Sequence, residues 1–578
     1  MKYRLSFPFP SEQIVRIQIQ TEAQVGKCQF CLPYWRPGRY ARQEYPRNLQ
    51  DLQATGPRQQ TYAVQKVSTH VWEVDVAEAG ELSLHYHYFA NLQDAGGSYY
   101  DANEIYINPI NLALYREDRL ASPCELELEL PDGFVLGGGL AETDGHYHFD
   151  DYHQLVDSPF MAAQNLVHHS FAVQGLPVHL WFMGDCAPDL VQIEQDITRY
   201  SEAQLAFFGH CPVEDYHYLF YMLPRQYRHG VEHYNSTVIV MGPGYRLMNP
   251  RMYQSFLEIS SHEFFHTWNV KALRPADMWP YDYSQENYSR LHYITEGVTT
   301  YYGDLMLWKS GVWNIQQWID SINGELKRHY TMGGKDYVSL SDASFDSWVN
   351  GYDTKGMPNR RISFYTKGYL VSMLLDFRIR KATDQRFSLD EVVRRMYHEF
   401  ARKGQAYTGE DYLGLIEEIS GESFGAFFAD YIEGTESLEP LLQEMGEYYG
   451  LKLRSMPLGN LSESAWGLRV QSRNDAYQVE ALLPHSPWLA AGLHPGDEIV
   501  SINGQKLMSN WNELLAYHWE AEEIVFHVFH QQKLRVLRLN HSRELRYRVP
   551  QFWLTANQEA SQRARINHWR SLPAQTTT

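Results

Sequence analysis

His262-Glu263-Phe264-Phe265-His266 is the stretch of this chain whose residue types and spacing could do chemistry. Two histidines four apart share one face of an α-helix, so both imidazoles can reach one ion. Zn²⁺ takes imidazole nitrogen at about 2.0–2.1 Å, and three protein ligands leave a fourth position for water. The metal lowers that water's pKa to roughly 7, and a glutamate between the histidines can take the proton. The five residues therefore predict a metallohydrolase, with His262 and His266 as ligands and Glu263 as general base. The plainer reading is a core helix whose histidines are hydrogen-bonded.

A helix is needed to place them, and the surroundings supply one. Asn249-Pro250 reads as an N-cap followed by proline at the first helical position. Residues 252–268 contain no Gly or Pro, and Pro275 bounds the segment downstream. Zinc still needs a third ligand, and Glu286 and Glu296 compete for the place. Spacing alone leaves both open. Glu286 lies in a polar tract that reads as loop or helix entry. Glu296 lies on a predicted helix over 291–309, where a carboxylate is better held. Gly297 and Gly303 would let that helix approach another closely.

The run Thr295-Glu296-Gly297-Val298-Thr299-Thr300-Tyr301-Tyr302 resembles the helix that carries the glutamate ligand in gluzincin aminopeptidases. More specifically, residues 262–271 (HEFFHTWNVK) followed by Leu273-Arg274-Pro275 resemble the glycyl aminopeptidase family. That resemblance implies a β N-terminal domain, a thermolysin-like catalytic domain and a C-terminal PDZ domain, with Glu296 as the third ligand. It extends to other segments. Leu32-Pro33-Tyr34-Trp35-Arg36-Pro37-Gly38-Arg39-Tyr40 is similar to an N-terminal segment of the family. Gly230-Val231-Glu232-His233 occupies the place of an edge strand whose glutamate holds the substrate's α-amine, which makes Glu232 the candidate amine anchor. Tyr365-Thr366-Lys367-Gly368 is similar to the segment whose tyrosine donates a hydrogen bond to the oxyanion, which assigns that role to Tyr365.

Residues 486–504 resemble a bacterial PDZ domain. Pro495-Gly496-Asp497 makes a turn before an alternating apolar strand, and Asn503-Gly504 supplies a hairpin signal. PDZ domains bind a peptide by adding its strand to a sheet edge. Here the groove either takes a peptide C-terminus or only braces the catalytic unit, and the sequence leaves both open.

The 50 basic and 70 acidic residues leave a net charge of −20, which disfavours nucleic acid and anionic membranes as partners. Five cysteines, an odd and sparse set, fit a reducing compartment, and Cys28-x-x-Cys31 lacks the second pair of a zinc ribbon. With no apolar leader segment and no run of transmembrane length, a cytoplasmic protein is expected. The predicted fold class is multidomain α+β: an N-terminal β-sandwich-like domain (1–170), a mainly helical thermolysin-like domain (171–445), a PDZ domain (446–545) and a polar C-terminal tail (546–578). In that tail residues 556–569 read as one surface helix, and the Thr-rich end reads as disordered.

The function expected from these residues is a zinc aminopeptidase with one Zn²⁺. It would act on peptides with a free N-terminus, with small residues, Gly or Ala, preferred by the family resemblance. The rivals are a PDZ-assisted zinc endopeptidase and a non-catalytic PDZ peptide-binding scaffold. The intact Glu263 argues against the scaffold, because a structural metal needs no base.

Overall fold

The alternating apolar positions of the N-terminal 170 residues fold as strands. In the computed structural model, which describes residues 1–350, 359–473 and 476–572, Val15, Ile17 and Ile19 of the strand Ile14–Ala23 point into the core. That strand pairs antiparallel with Lys2–Phe9, which pairs parallel with Cys124–Glu129 inside an eight-stranded sheet. A three-stranded sheet built on Gly26–Cys31 and a four-stranded sheet containing Glu104–Ile107 complete the β-rich domain. Cys28 and Cys31 are buried on their strand, and among the described residues neither joins a metal-capable cluster.

The second unit opens with a five-stranded sheet in the order Val167–Val173, Leu176–Gly184, Tyr216–Met222, Ser236–Gly242, Tyr227–Glu232. Its inner strands are buried on both faces, as their continuous apolar runs require. Tyr227–Glu232 is an antiparallel edge strand. Helices follow, and several start at a side-chain cap. Asn314/Gln317, Ser388/Glu391 and Thr408/Asp411 form reciprocal capping boxes.

A buried charge network locks the far ends of these helices. Asp390 Oδ2 lies 2.7 Å from Lys309 Nζ and 3.5 Å from Arg380 Nη2, and Oδ1 accepts from the Tyr302 hydroxyl. Arg380 Nε also meets Asp376 at 3.0 Å. Removing one member of such a network leaves uncompensated charge in the interior. Asp390→Ala is therefore expected to destabilise this domain by about 3–5 kcal/mol. The check is a lower midpoint in urea unfolding followed by tryptophan fluorescence.

After the helix Glu439–Tyr449 the strand Leu451–Pro457 leads into a PDZ sheet whose edge strand is Leu468–Arg473. Trp488 stacks on Phe526 at 3.9 Å in that sheet's own core. Beyond residue 546 the chain does not trail off. The strand Arg548–Leu554 returns to pair antiparallel with Leu451–Pro457. It lies on the helix Ile315–Tyr330, where Asn323 and Phe552 exchange hydrogen bonds of 3.0 and 2.7 Å. The predicted surface helix is Ala560–Arg570, and it is docked rather than free. Trp569, 2% exposed, stacks on Tyr449 and meets Trp308 and Trp318 edge-on. Ile566 is buried beside it, and Arg565 and Arg570 donate to the Tyr448 and Trp308 carbonyls, a docking that the average polarity of the segment hides. The Thr-rich end lies outside the described residues. No helix among the described residues is long and apolar enough to cross a membrane.

Candidate metal centre and its cleft

Asn249 caps the helix Pro250–Phe265 by accepting from the Arg251 backbone N–H, with Pro250 in its first turn. His262 lies in the last turn, and His266 is the C-cap in helical conformation. The helix expected to run to 268 instead widens into a π-helical turn, Thr267–Ala272, broken at Asn269 (φ −113°, ψ 89°). The break brings the Asn269 carbonyl to 2.8 Å from His266 Nδ1. A proton on Nδ1, donated to that carbonyl, leaves Nε2 bare for a metal.

Glu296 sits in a second π-helical turn, Tyr293–Val298, which continues as the helix Thr299–Lys309. Such turns recur at functional sites. Asn269 joins the two segments, since its amide donates to the Ile294 carbonyl at 2.9 Å and to Thr299 Oγ1 at 3.0 Å. Two glycines permit the close fit. A Cβ on Gly303 would lie 2.9 Å from His262 Cα, and one on Gly297 would lie 2.6 Å from Gly368 Cα.

The result is a convergence of donor atoms. His262 Nε2 and His266 Nε2 are 3.0 Å apart, and Glu296 Oε2 is 3.9 Å from the first and 3.4 Å from the second. Two imidazoles and a carboxylate within 4.8 Å of one another form a donor set that suits tetrahedral Zn²⁺ with one position left over. Glu286 lies elsewhere and accepts from the Tyr34 hydroxyl at 3.1 Å.

Glu232, Glu263 and His266 form a second, overlapping cluster, all three buried. Glu232 ends the edge strand, beside the helix that carries Glu263. A methyl group on Gly230 of that strand would strike the Glu263 carboxylate, so the strand's bare backbone is what admits it. Acidic residues of the N-terminal domain pin both ends of the strand. Asp94 accepts from the Tyr227 hydroxyl at 2.5 Å and meets His229 Nδ1 at 3.0 Å. Asp157 meets His233 Nδ1 at 3.0 Å and Lys271 Nζ at 2.6 Å.

The electrostatics favour a cation. Burial holds the Glu263 carboxyl up, at about 8, against the pull of His266, and Glu232 and Glu296 add to the rise. Burial alone would lower the His266 imidazole, but Glu296 and Glu232 override it and raise it to about 10. Glu232 Oε1 and Glu263 Oε2 are buried without a hydrogen-bond partner. Three carboxylates packed round the His266 imidazole make this pocket strongly negative, a setting that attracts a divalent ion.

Tyr365 is the second residue of the helix Phe364–Ala382, half-buried and stacked on Phe364 at 4.7 Å. The Gly297–Gly368 crossing sets this first turn against the Glu296 segment. The sequence reading missed Asn269, Thr299 and Asp157, whose roles depend on partners distant in the chain. The segment containing Tyr40 did stand out, but nothing in it indicated where it would dock.

Residues 2–164 match the Peptidase M61 N-terminal domain, residues 255–371 the M61 glycyl aminopeptidase, and residues 458–516 the PDZ domain. The fold is similar to that of an aminopeptidase N family protein from Idiomarina loihiensis, with 22% identity, a TM-score of 0.88, and coverage of 96% of this chain and 98% of that one. A weaker likeness links it to an M1 zinc metallopeptidase from Deinococcus radiodurans (16% identity, TM-score 0.45, 73% and 90% covered). Yeast LTA4 hydrolase stands at a similar distance (14% identity, TM-score 0.46, 74% and 67% covered). No curated protein matches the chain in sequence.

Proposed function

We propose that this chain, which matches the M61 N-terminal domain over residues 2–164 and the M61 glycyl aminopeptidase over residues 255–371, removes N-terminal residues, small ones such as Gly or Ala, from peptides at one zinc ion held by His262, His266 and Glu296. The observation that carries this reading is the buried, unpartnered Glu232 Oε1, at the end of an edge strand and clustered with Glu263 and His266. A substrate α-ammonium placed there gains a charge partner, whereas a blocked terminus leaves the carboxylate buried and alone.

Zinc, when bound, supplies a Lewis acid for the scissile carbonyl and acidifies water. Glu263 takes the proton of the attacking water and passes it to the departing amine. Glu232 grips the terminal amine and so decides which peptide bond faces Glu263. Tyr365 donates a hydrogen bond from its hydroxyl to the developing oxyanion, a task suited to a phenol that stays neutral, with a reference pKa of about 10. Asn269 keeps the His266 ring turned so that Nε2 faces inward.

The test is mass-spectrometric cleavage of matched peptides beginning with Ala or Gly, free and N-acetylated, by the zinc-loaded chain. Single-residue removal from the free set alone is the expected result. Internal cuts in both sets would replace this reading with the PDZ-assisted endopeptidase. No cleavage in either set would favour a peptide-binding scaffold.

A further inference from the structure

One segment of the N-terminal domain reaches the catalytic centre, and its contacts there have a chemical consequence. After the strand Gly26–Cys31 the chain leaves its sheet and crosses to the second unit. The Tyr34 backbone N–H donates to the Tyr283 carbonyl at 2.7 Å, and Trp35 Nε1 donates to the Asp282 carbonyl at 2.7 Å. The Trp35 ring, fully buried, packs edge-on against Tyr281 and Trp348. Gly38 then turns with φ +76°, so close to the cleft that a methyl there would lie 2.5 Å from Glu232 Oε2. Tyr40, 1% exposed, follows. Its ring stacks on His292 at 3.6 Å with a 19° interplanar angle, and its hydroxyl hydrogen-bonds the Glu296 carboxylate. His292 lies one turn before Glu296 on the same segment and is itself wholly buried.

We infer that Tyr40, delivered from the N-terminal domain, is a positioning residue for the metal site, holding the Glu296 carboxylate in the orientation that coordinates the ion. This rests on the proposed ligand set. The stack on His292 fixes the phenol ring, and the ring fixes its hydroxyl on the carboxylate. A ligating carboxylate that is free to rotate loses affinity, and outer partners of metal ligands typically account for 10–100-fold in metal binding. The same segment sets Gly38 against Glu232, so one loop touches both the metal side and the amine side of the cleft. The N-terminal domain is thereby a component of the centre rather than a neighbour of it.

The test uses the full chain and two conservative variants. Tyr40→Phe keeps the ring and its stack but removes the hydroxyl on Glu296. Tyr34→Phe removes a hydroxyl from the same loop, the one that donates to Glu286. Zinc dissociation constants are measured by competition with a chromophoric chelator, with the visible spectrum of the Co²⁺-loaded chain as a second readout of ligand geometry. The expected result is about 10–100-fold weaker zinc binding and an altered Co²⁺ spectrum for Tyr40→Phe, with Tyr34→Phe within twofold of the parent. Parent-like zinc affinity in Tyr40→Phe would overturn the assignment. Equal losses in both variants would also overturn it, since they would reflect the loop as a whole. A parent chain that binds zinc tightly but cleaves no peptide would sink the aminopeptidase reading while leaving Tyr40's role intact; a parent that binds no zinc would sink both.

Discussion

Replacing Glu263 by glutamine is expected to lower kcat on free Ala- and Gly-peptides by about 10²–10⁴, with zinc still bound. Glutamine keeps the size and shape of the side chain against the Gly230 backbone but cannot carry a proton from water to the leaving amine. The metal site should persist because the proposed ligands are His262, His266 and Glu296, not Glu263. Steady-state kinetics set beside zinc content by atomic emission make the check. Zinc loss in proportion to activity would mean that Glu263 holds the site together rather than moving protons. Unchanged kcat would remove it from the mechanism.

The second large effect concerns Glu232. Glu232→Gln removes the charge that a terminal ammonium would meet, in a pocket where Oε1 has no other hydrogen-bond partner. Truncating one side of a buried charge pair costs about 2–5 kcal/mol, roughly 30- to 5,000-fold in kcat/KM. The loss should fall on peptides with a free N-terminus. It should shrink for N-acetylated peptides, which have no ammonium to anchor and are poor substrates to begin with. Kinetics on the two sets, run with parent and variant, decide the matter. An equal loss on both would show that Glu232 acts on the geometry of the strand and not on the amine.

Several parts of this molecule were legible in its sequence, and the reason is locality. A histidine pair at helical spacing acts through side chains close together in the chain, and the glutamate on a second helix is recognised by the local run that contains it. The family resemblance, together with the better hold a helix gives a ligand, favours Glu296 over Glu286, and the structure places Glu296, not Glu286, beside the two histidines. The alternating strands and the PDZ turn signals are likewise local. What was not legible is pairwise and distant. The π-helical widening after His266 carries no composition of its own, because it is set by Asn269 bonding to Ile294 and Thr299. Tyr40 is one of 41 tyrosines, and only its docking against His292 distinguishes it. Trp569 sits in a helix of low hydropathy that reads as surface until its partners Tyr449, Trp308 and Trp318 are present.

The return of the last strand and helix has a consequence for biosynthesis. A ribosome releases the chain from residue 1 onward, and domains generally fold as units in that order. The catalytic helices, however, are closed over by Arg548–Leu554 and by Trp569, which are translated only after the whole PDZ module. Until the PDZ module has emerged and the final helix has docked, the nascent helical unit lacks the contacts that Trp569 makes with Trp308 and Trp318. Synthesis order thus couples completion of the helical unit to completion of a module that follows most of it in the chain.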